Sequence, residues 1–115
     1  MEINLRKKDN VVIFDIKGEI RRSDMGNVSL HQTVKEQLDS DNSLILLNLK
    51  KVEFIDSFGV GEILASFISA QDIGGKLKLT QISKKLHVVF EITMLTKVFE
   101  IFKDENSALD SFSKE

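Results

Sequence analysis

Cysteine, proline, tryptophan and tyrosine are all absent from this sequence of 115 residues. Without cysteine, disulfide bonds, thiolate chemistry and cysteine-based zinc sites are excluded. Without proline, long regular elements can be joined by short connections. The two histidines, His31 and His87, are far apart and lack the spacing of metal ligands. We therefore expect no metal site and no bound cofactor.

The sequence also lacks a strong charge of one sign and long apolar runs. Its formal net charge is -2 at pH 7, so no broad basic face for direct nucleic-acid binding is expected. The longest fully apolar runs have four residues, at 11–14 and 44–47, whereas a membrane-spanning helix needs about 20. The N-terminus does not resemble a signal peptide. These features favour a cytoplasmic protein without a membrane span.

Hydrophobic periodicity predicts five strands along the chain. Residues 3–7 and 11–16 flank the turn signal Asp9-Asn10 and indicate an N-terminal hairpin, which Gly18 ends. Residues 43–49 are almost continuously apolar, which is typical of a strand buried on both faces of a sheet, and residues 50–55 lead out of it. Two further strands are predicted at residues 76–82 and 98–102.

Four helices are predicted between and after these strands. Ser23 or Asp24 caps the first, which runs to about Ser40, and Ser83 caps the third, in which Met94 faces the core. The last covers residues 104–112. The clearest helix spans residues 57–72 and carries an apolar stripe at helical spacing, formed by Val60, Ile63, Leu64, Phe67 and Ile68.

The resulting element order, β-β-α-β-α-β-α-β-α, defines the expected fold class. Repeated βα units predict a mostly parallel sheet, and the hairpin adds an antiparallel edge. We therefore expect an α/β protein with one domain over residues 1–115, built from a mixed sheet and about four helices.

Asp56 and Ser57 stand where a binding site is expected in such a fold. Sites in open α/β sheets gather at the carboxyl ends of the strands, and these two residues follow the central strand and open the clearest helix. Either residue could simply be the helix N-cap, which would contribute about 1 kcal/mol. The neighbouring residues favour an additional role.

Phe58 lies opposite the apolar stripe on a helical wheel and is therefore not needed for the core, although it could cover the preceding residues 52–54. Gly59 and Gly61 each weaken a helix by about 1 kcal/mol relative to alanine, but they allow another backbone to approach closely. We therefore predict a protein-docking surface centred on Ser57. The outer-face neighbours of Phe58 are Glu62, Ala65, Ser66 and Ser69.

The segment 46–61 resembles the signature of STAS-domain anti-sigma-factor antagonists, in which an apolar strand precedes Asp-Ser-small-Gly-apolar-Gly. The resemblance covers nearly the whole chain. It implies that Ser57 is phosphorylated by a partner that is both a serine kinase and an anti-sigma factor. The unphosphorylated form would bind this partner and release a sigma factor, and a serine phosphatase would restore that form. Further matching segments are Gly18-Glu19, Ile73-Gly74-Gly75-Lys76 and Ile82-Ser83.

The sequence departs from the family pattern at two places. Arg21 and Arg22 stand where an acidic residue is usual, and Phe58 replaces a small residue. The arginines should lie near Ser57, where they could pair with a phosphate or an acidic partner, or remain solvated. The predicted partner-binding residues around Ser57 are Asp56, Phe58, Gly59, Gly61, Glu62, Arg21 and Arg22.

Three other classes of function were weighed against this interpretation. An enzyme is not expected, because Gly59-Val60-Gly61 lacks the Lys-Ser/Thr of a phosphate-binding loop and no Gly-x-Ser-x-Gly elbow occurs; the sequence leaves His87 available as a base for Ser57. A STAS-like scaffold or accessory subunit of a stress-signalling or lipid-transport complex would need no phosphorylation. A small-molecule sensor would need an internal cavity.

Overall fold

The computed structural model describes residues 1–22 and 29–114. Within these residues, one sheet has the strand order β1-β2-β3-β4-β5. β1 and β2 are antiparallel, and all the other neighbouring pairs are parallel. The strands are β1 (Glu2–Lys8), β2 (Val11–Ile20), β3 (Leu44–Ile55), β4 (Lys76–Thr80) and β5 (Ile101–Phe102).

Four helices accompany this sheet in the described residues, together with a 3-10 turn at Leu95–Lys97. The predicted fold class, with a mixed and mostly parallel sheet, an N-terminal hairpin and four helices, is confirmed. None of the helices in the described ranges is long and apolar enough to cross a membrane. The helices are α1 (Leu30–Asp39), α2 (Ser57–Asp72), α3 (Lys84–Ile92) and α4 (Glu105–Ser113).

The hairpin turn explains why β1 folds back onto β2. Asp9 and Asn10 both have positive φ, at 54° and 69°, as a two-residue type I′ turn requires. Gly18, in contrast, does not end β2 as predicted. It has φ +102° where the register between β2 and β3 shifts, and the strand continues to Ile20. Glycine here permits an irregularity within the strand instead of a stop.

The lengths of the parallel strands also differ from the prediction. Residues 50–55 belong to β3, because they pair with the extension of β2. β4 ends at Thr80, since Gln81 has φ 61° and leaves the strand. The predicted strand at 98–102 is only Ile101–Phe102, because the 3-10 turn precedes it. Met94 lies beyond α3 in a left-handed conformation and is exposed, so its predicted core position was wrong.

Helices cover both faces of the sheet. α1, α2 and α3 contribute to the larger core on one face, around residues such as Phe14, Leu47 and Phe90. α4 covers part of the opposite face, where it buries the three residues predicted to face inward, Ala108, Leu109 and Phe112. The layered arrangement leaves the carboxyl ends of β2 and β3 to carry the segment around Ser57.

A polar cluster links the hairpin to α4, and we call it the Arg6 clasp (Arg6, Asp15, Asn48 and Glu105). Asp15 Oδ1 accepts hydrogen bonds from Arg6 Nη2 at 3.0 Å and from Asn48 Nδ2 at 2.9 Å. Arg6 Nη1 donates to Glu105 Oε2 at 3.2 Å. The hydrogen bond from Arg6 is the main cause that lowers the pKa of Asp15 below its usual value.

The lowered pKa of Asp15 predicts an acid-sensitive part of the stability. The stabilisation is complete above the pKa of an unfolded aspartate, about 3.9, and is lost as the pH falls through the lower folded value. Urea unfolding at several pH values should show a free energy of unfolding that declines on acidification. Asp15→Asn should be less stable at neutral pH and should show a shallower decline. The exposed Asp110→Asn is the control, and an equal effect of both variants would contradict the assignment.

Candidate functional site

Asp56 fixes the start of α2 to the end of β2. Its Oδ1 accepts a hydrogen bond from Gly59 N at 2.9 Å, which makes it the N-cap of α2. Its Oδ2 accepts from Arg22 N at 3.1 Å, and its own N–H donates to Ile20 O at 3.3 Å. The hydrogen bonds from the Gly59 and Arg22 N–H groups lower the pKa of Asp56. The carboxylate therefore holds two chain segments in one geometry.

Ser57 is the first residue of α2 and is exposed. Of the two residues considered as caps, Asp56 fills that role, and the Ser57 hydroxyl makes no hydrogen bond within residues 1–22 and 29–114. No hydrogen bond joins it to His87 there either; the His87 ring lies 3.8 Å from the carboxylate of Glu91 on its own helix. Within the described residues, the exposed Ser57 hydroxyl thus stands at a helix start with no hydrogen-bonded base of the kind that activates a nucleophile.

The two glycines of α2 have different roles. Gly59 is buried, and a Cβ added there would clash with the Ile20 carbonyl oxygen and lie 2.8 Å from Ile55 Cγ2. The sequence predicted that another backbone could approach these glycines closely. At Gly59 the approaching backbone is that of Ile20 in the same chain. A Cβ at Gly61 would meet nothing within 4 Å. Only Gly61 leaves open backbone surface next to Ser57.

The packing of α2 confirms most of the predicted apolar stripe, because Ile63 is buried and Val60, Leu64 and Phe67 pack against the core. The surface of α2 that faces solvent, which we call the α2 outer face, includes Ser57, Gly61 and Ile68, with the half-buried Leu64 at its edge. Ile68 departs from the prediction, since it was assigned to the apolar stripe and is 48% exposed. The predicted outer residue Ser66 is fully buried. The buried residues of α2 are Gly59, Ile63, Ser66 and Ala70.

Contacts with α1 explain why part of the predicted outer face of α2 is covered. Glu62 Oε1 accepts a hydrogen bond from His31 N at 3.3 Å, and Ser69 Oγ lies 2.9 Å from His31 Nε2. The first turn of α1 has no acidic residue, so Glu62 provides the negative charge that a helix N-terminus favours. Two of the predicted outer-face residues therefore bind α1. Phe58, beside them, is half-buried and is not part of the core of the described residues.

Of the two arginines, Arg22 contacts the site through its backbone, and Arg21 pairs with a residue outside it. Arg22 reaches Asp56 through its backbone N–H, and its side chain is exposed. Arg21 pairs with Glu19, with Nε and Oε1 3.0 Å apart at exposed positions. The predicted caps of the first helix, residues 23 and 24, lie outside the described residues. The cap observed for α1 is Ser29, whose Oγ accepts from Gln32 N at 3.0 Å.

The exposure of Ile68 and the burial of Ser66 are what the sequence interpretation missed. Ile68 follows Ser57 and Gly61 along the exposed side of the helix, at a position that the wheel assigned to the core. The small residues Gly59, Ser66 and Ala70 were the signal that could have revealed this, because small side chains at helical spacing indicate a face that packs closely.

Comparisons with known proteins agree with this fold. The model of the STAS domain family matches residues 2–108. The chain is 30% identical to the anti-sigma-B factor antagonist of Listeria monocytogenes over 105 residues, which cover 88% of this chain and 86% of the relative. It is 25% identical over 111 residues to the anti-sigma F factor antagonist of Paenibacillus polymyxa, covering 95% and 92%.

Solved structures give the same result. A candidate anti-sigma factor antagonist from Thermotoga maritima superposes with a TM-score of 0.81 at 26% identity, covering 95% of this chain and 92% of that one. The phosphorylated form of the Bacillus cell fate determinant SpoIIAA shares the fold, with a TM-score of 0.73 at 19% identity and coverage of 96% and 99%. The chain therefore belongs to the STAS-domain family of anti-sigma-factor antagonists. The names of these relatives describe regulators and not enzymes, in agreement with the prediction.

The two glycines provide a matched pair of stability tests. Gly59→Ala should lower the free energy of unfolding by about 1–3 kcal/mol, because the new methyl group clashes with the backbone of β2 at Ile20. Gly61→Ala should raise it by up to about 1 kcal/mol, since alanine favours the helix and meets open space. Chemical denaturation measures both values. Equal effects at the two positions would contradict the close contact at Ile20.

A second pair of variants separates the cap from the exposed serine. Ser57→Ala should change the free energy of unfolding by no more than about 0.5 kcal/mol, as is usual for exposed positions without special contacts. Asp56→Ala should destabilise the protein clearly, because the Gly59 and Arg22 N–H groups lose their acceptor. Thermal and urea unfolding provide the measurement. A larger loss for Ser57→Ala would mean that the hydroxyl has a structural role.

Proposed function

We propose that this chain is an anti-sigma factor antagonist controlled by phosphorylation of Ser57. In this proposal the unphosphorylated form binds an anti-sigma factor that is also a serine kinase, and a sigma factor is released. Phosphorylation of Ser57 by that kinase ends the binding, and a serine phosphatase restores it. Because sigma factors act on bacterial transcription, we place the protein in the cytoplasm. The observation that carries the proposal is the exposed, uncommitted Ser57 hydroxyl at the start of α2.

The surroundings of Ser57 support binding by the unmodified form. The α2 outer face offers open backbone at Gly61 and the exposed apolar side chain of Ile68, beside the half-buried Leu64. A partner that packs on this face would cover apolar surface next to the hydroxyl, and apolar burial is a main driving force of protein association. Asp56 and Gly59 would support binding indirectly, because they hold the helix start in place.

The same geometry supports inhibition by phosphate. A phosphate adds about -1.5 to -2 charges at pH 7, and Ser57 is adjacent to the Asp56 carboxylate, whose pKa is lowered. Asp56 already accepts the Gly59 N–H, so the phosphate would not have that N–H group available. It would add bulk and negative charge to the docking face while the helix dipole still tolerates it. Arg22, whose backbone N–H bonds to Asp56 and whose side chain is exposed, is a candidate for pairing with it.

A STAS-like scaffold or accessory subunit is the alternative function. It would use the same face without phosphorylation, so a kinase assay distinguishes the two. The protein is incubated with ATP and the serine kinase encoded near its gene, and the phosphate is located by fragment mass spectrometry. We expect one phosphate on Ser57. Ser57→Ala should abolish the labelling, whereas Ser113→Ala, which changes an exposed serine of α4, should leave it intact.

Partner binding gives the second readout of the same prediction. Titration calorimetry with the kinase should show that wild type binds without ATP and loses binding after phosphorylation. Ser57→Ala should bind in both conditions, and Ser57→Asp should bind at least about tenfold more weakly, equivalent to about 1.4 kcal/mol. Stable binding of all three forms, together with no label on Ser57, would support the scaffold and overturn the switch.

A further inference from the structure

A cleft separate from the Ser57 site opens at the carboxyl ends of β4 and β5. Its volume is about 490 Å³, within the range of small-molecule sites. Ile82, Phe99 and Phe102 form much of its apolar wall, and Lys84, His87 and Lys103 line it as well. No residue of the segment 54–61 lines it. The cleft therefore combines an apolar surface with cationic groups, away from the predicted docking face.

The charged side chains that line the cleft are basic. Lys84 is the first residue of α3 and Lys103 follows β5, and among the described residues no Asp or Glu lines the space. The first turn of α3 also has no acidic residue, although a helix N-terminus favours negative charge. Two lysines and the start of α3 thus border the cleft, and a bound anion would interact favourably with them.

His87 adds a polar edge to the cleft. Its side chain is 45% exposed, and its Nε2 has no hydrogen-bond partner within the described ranges. The Glu91 carboxylate lies 3.8 Å from this nitrogen, within ion-pairing distance, so His87 already has an acidic neighbour. Lys84 and Lys103 are therefore the cationic groups that the cleft offers to a ligand.

We propose that the cleft binds a small organic anion with an apolar body. A carboxylate or phosphate headgroup would interact with Lys84 and Lys103, and the hydrocarbon part of the ligand would pack against Ile82 and Phe102. The site is an open cleft and not the internal cavity that a small-molecule sensor was expected to need. It would add ligand sensing to the chain, and it does not depend on phosphorylation of Ser57.

Octanoate and octyl phosphate are suitable probes, with octanol as the uncharged control and inorganic phosphate as the control without an apolar body. Amide chemical shifts of the unphosphorylated full chain are followed by NMR during titration below the micellar concentration. We expect saturable shifts in residues 81–87 and 96–103 for both anions, with affinities at least about tenfold higher than for either control. The tighter of the two anions identifies the headgroup.

Neighbouring lysines provide the matched variants. Lys84→Gln and Lys103→Gln should each weaken binding of the preferred probe about tenfold, because each removes a charge-assisted contact. Lys85→Gln changes the next residue, which does not line the cleft, and should bind like wild type. Amide spectra of the free variants verify folding. Octanol binding as tightly as octanoate, an equal loss in Lys85→Gln, or shifts that do not saturate in these segments would overturn the proposal.

Discussion

The junction between β2 and α2 is the constraint on which the candidate site depends. The Ile20 carbonyl lies against Gly59 so closely that no side chain fits there, and Asp56 bonds to both sides of the junction. These contacts set where α2 begins and place Gly59 in its first turn against β2. Because the Asp56 side chain caps the N-terminus of α2, the Ser57 hydroxyl is not needed as a cap. The exposure of its hydroxyl is thus a consequence of the packing beneath it.

Much of the fold could be predicted from the sequence because its signals are local. The hairpin follows from Asp9-Asn10, and the range of α2 follows from an apolar period that ends before two glycines. The ends of strands were less predictable where pairing with a neighbouring strand determines them. Residues 50–55 carry polar side chains that suggest an exit, yet they remain a strand because β2 extends beside them. β5 is short because the preceding residues form a 3-10 turn.

The place of Asp56 and Ser57 at the start of α2 was predicted, but the contacts around them were not. The expected place of Asp56 and Ser57 follows from the general rule for open α/β sheets. Which of them caps the helix depends on the Arg22 and Gly59 N–H groups, and their positions arise only in the folded chain. The face of α2 that packs depends on α1, whose His31 contacts Glu62 and Ser69. A helical wheel of one helix contains no information about its neighbour.

The Arg6 clasp has a consequence for how the chain folds. It joins residues 6 and 105, which are separated by 99 positions. Closing such a large loop has a high entropic cost. Contacts between residues this far apart in sequence generally slow folding. The clasp is therefore expected to close late, after the parallel strands have assembled. Until then the hairpin is held to the growing sheet by the pairing of β2 with β3 and by the core residues of β2, and α4 is the last element to gain its full set of contacts.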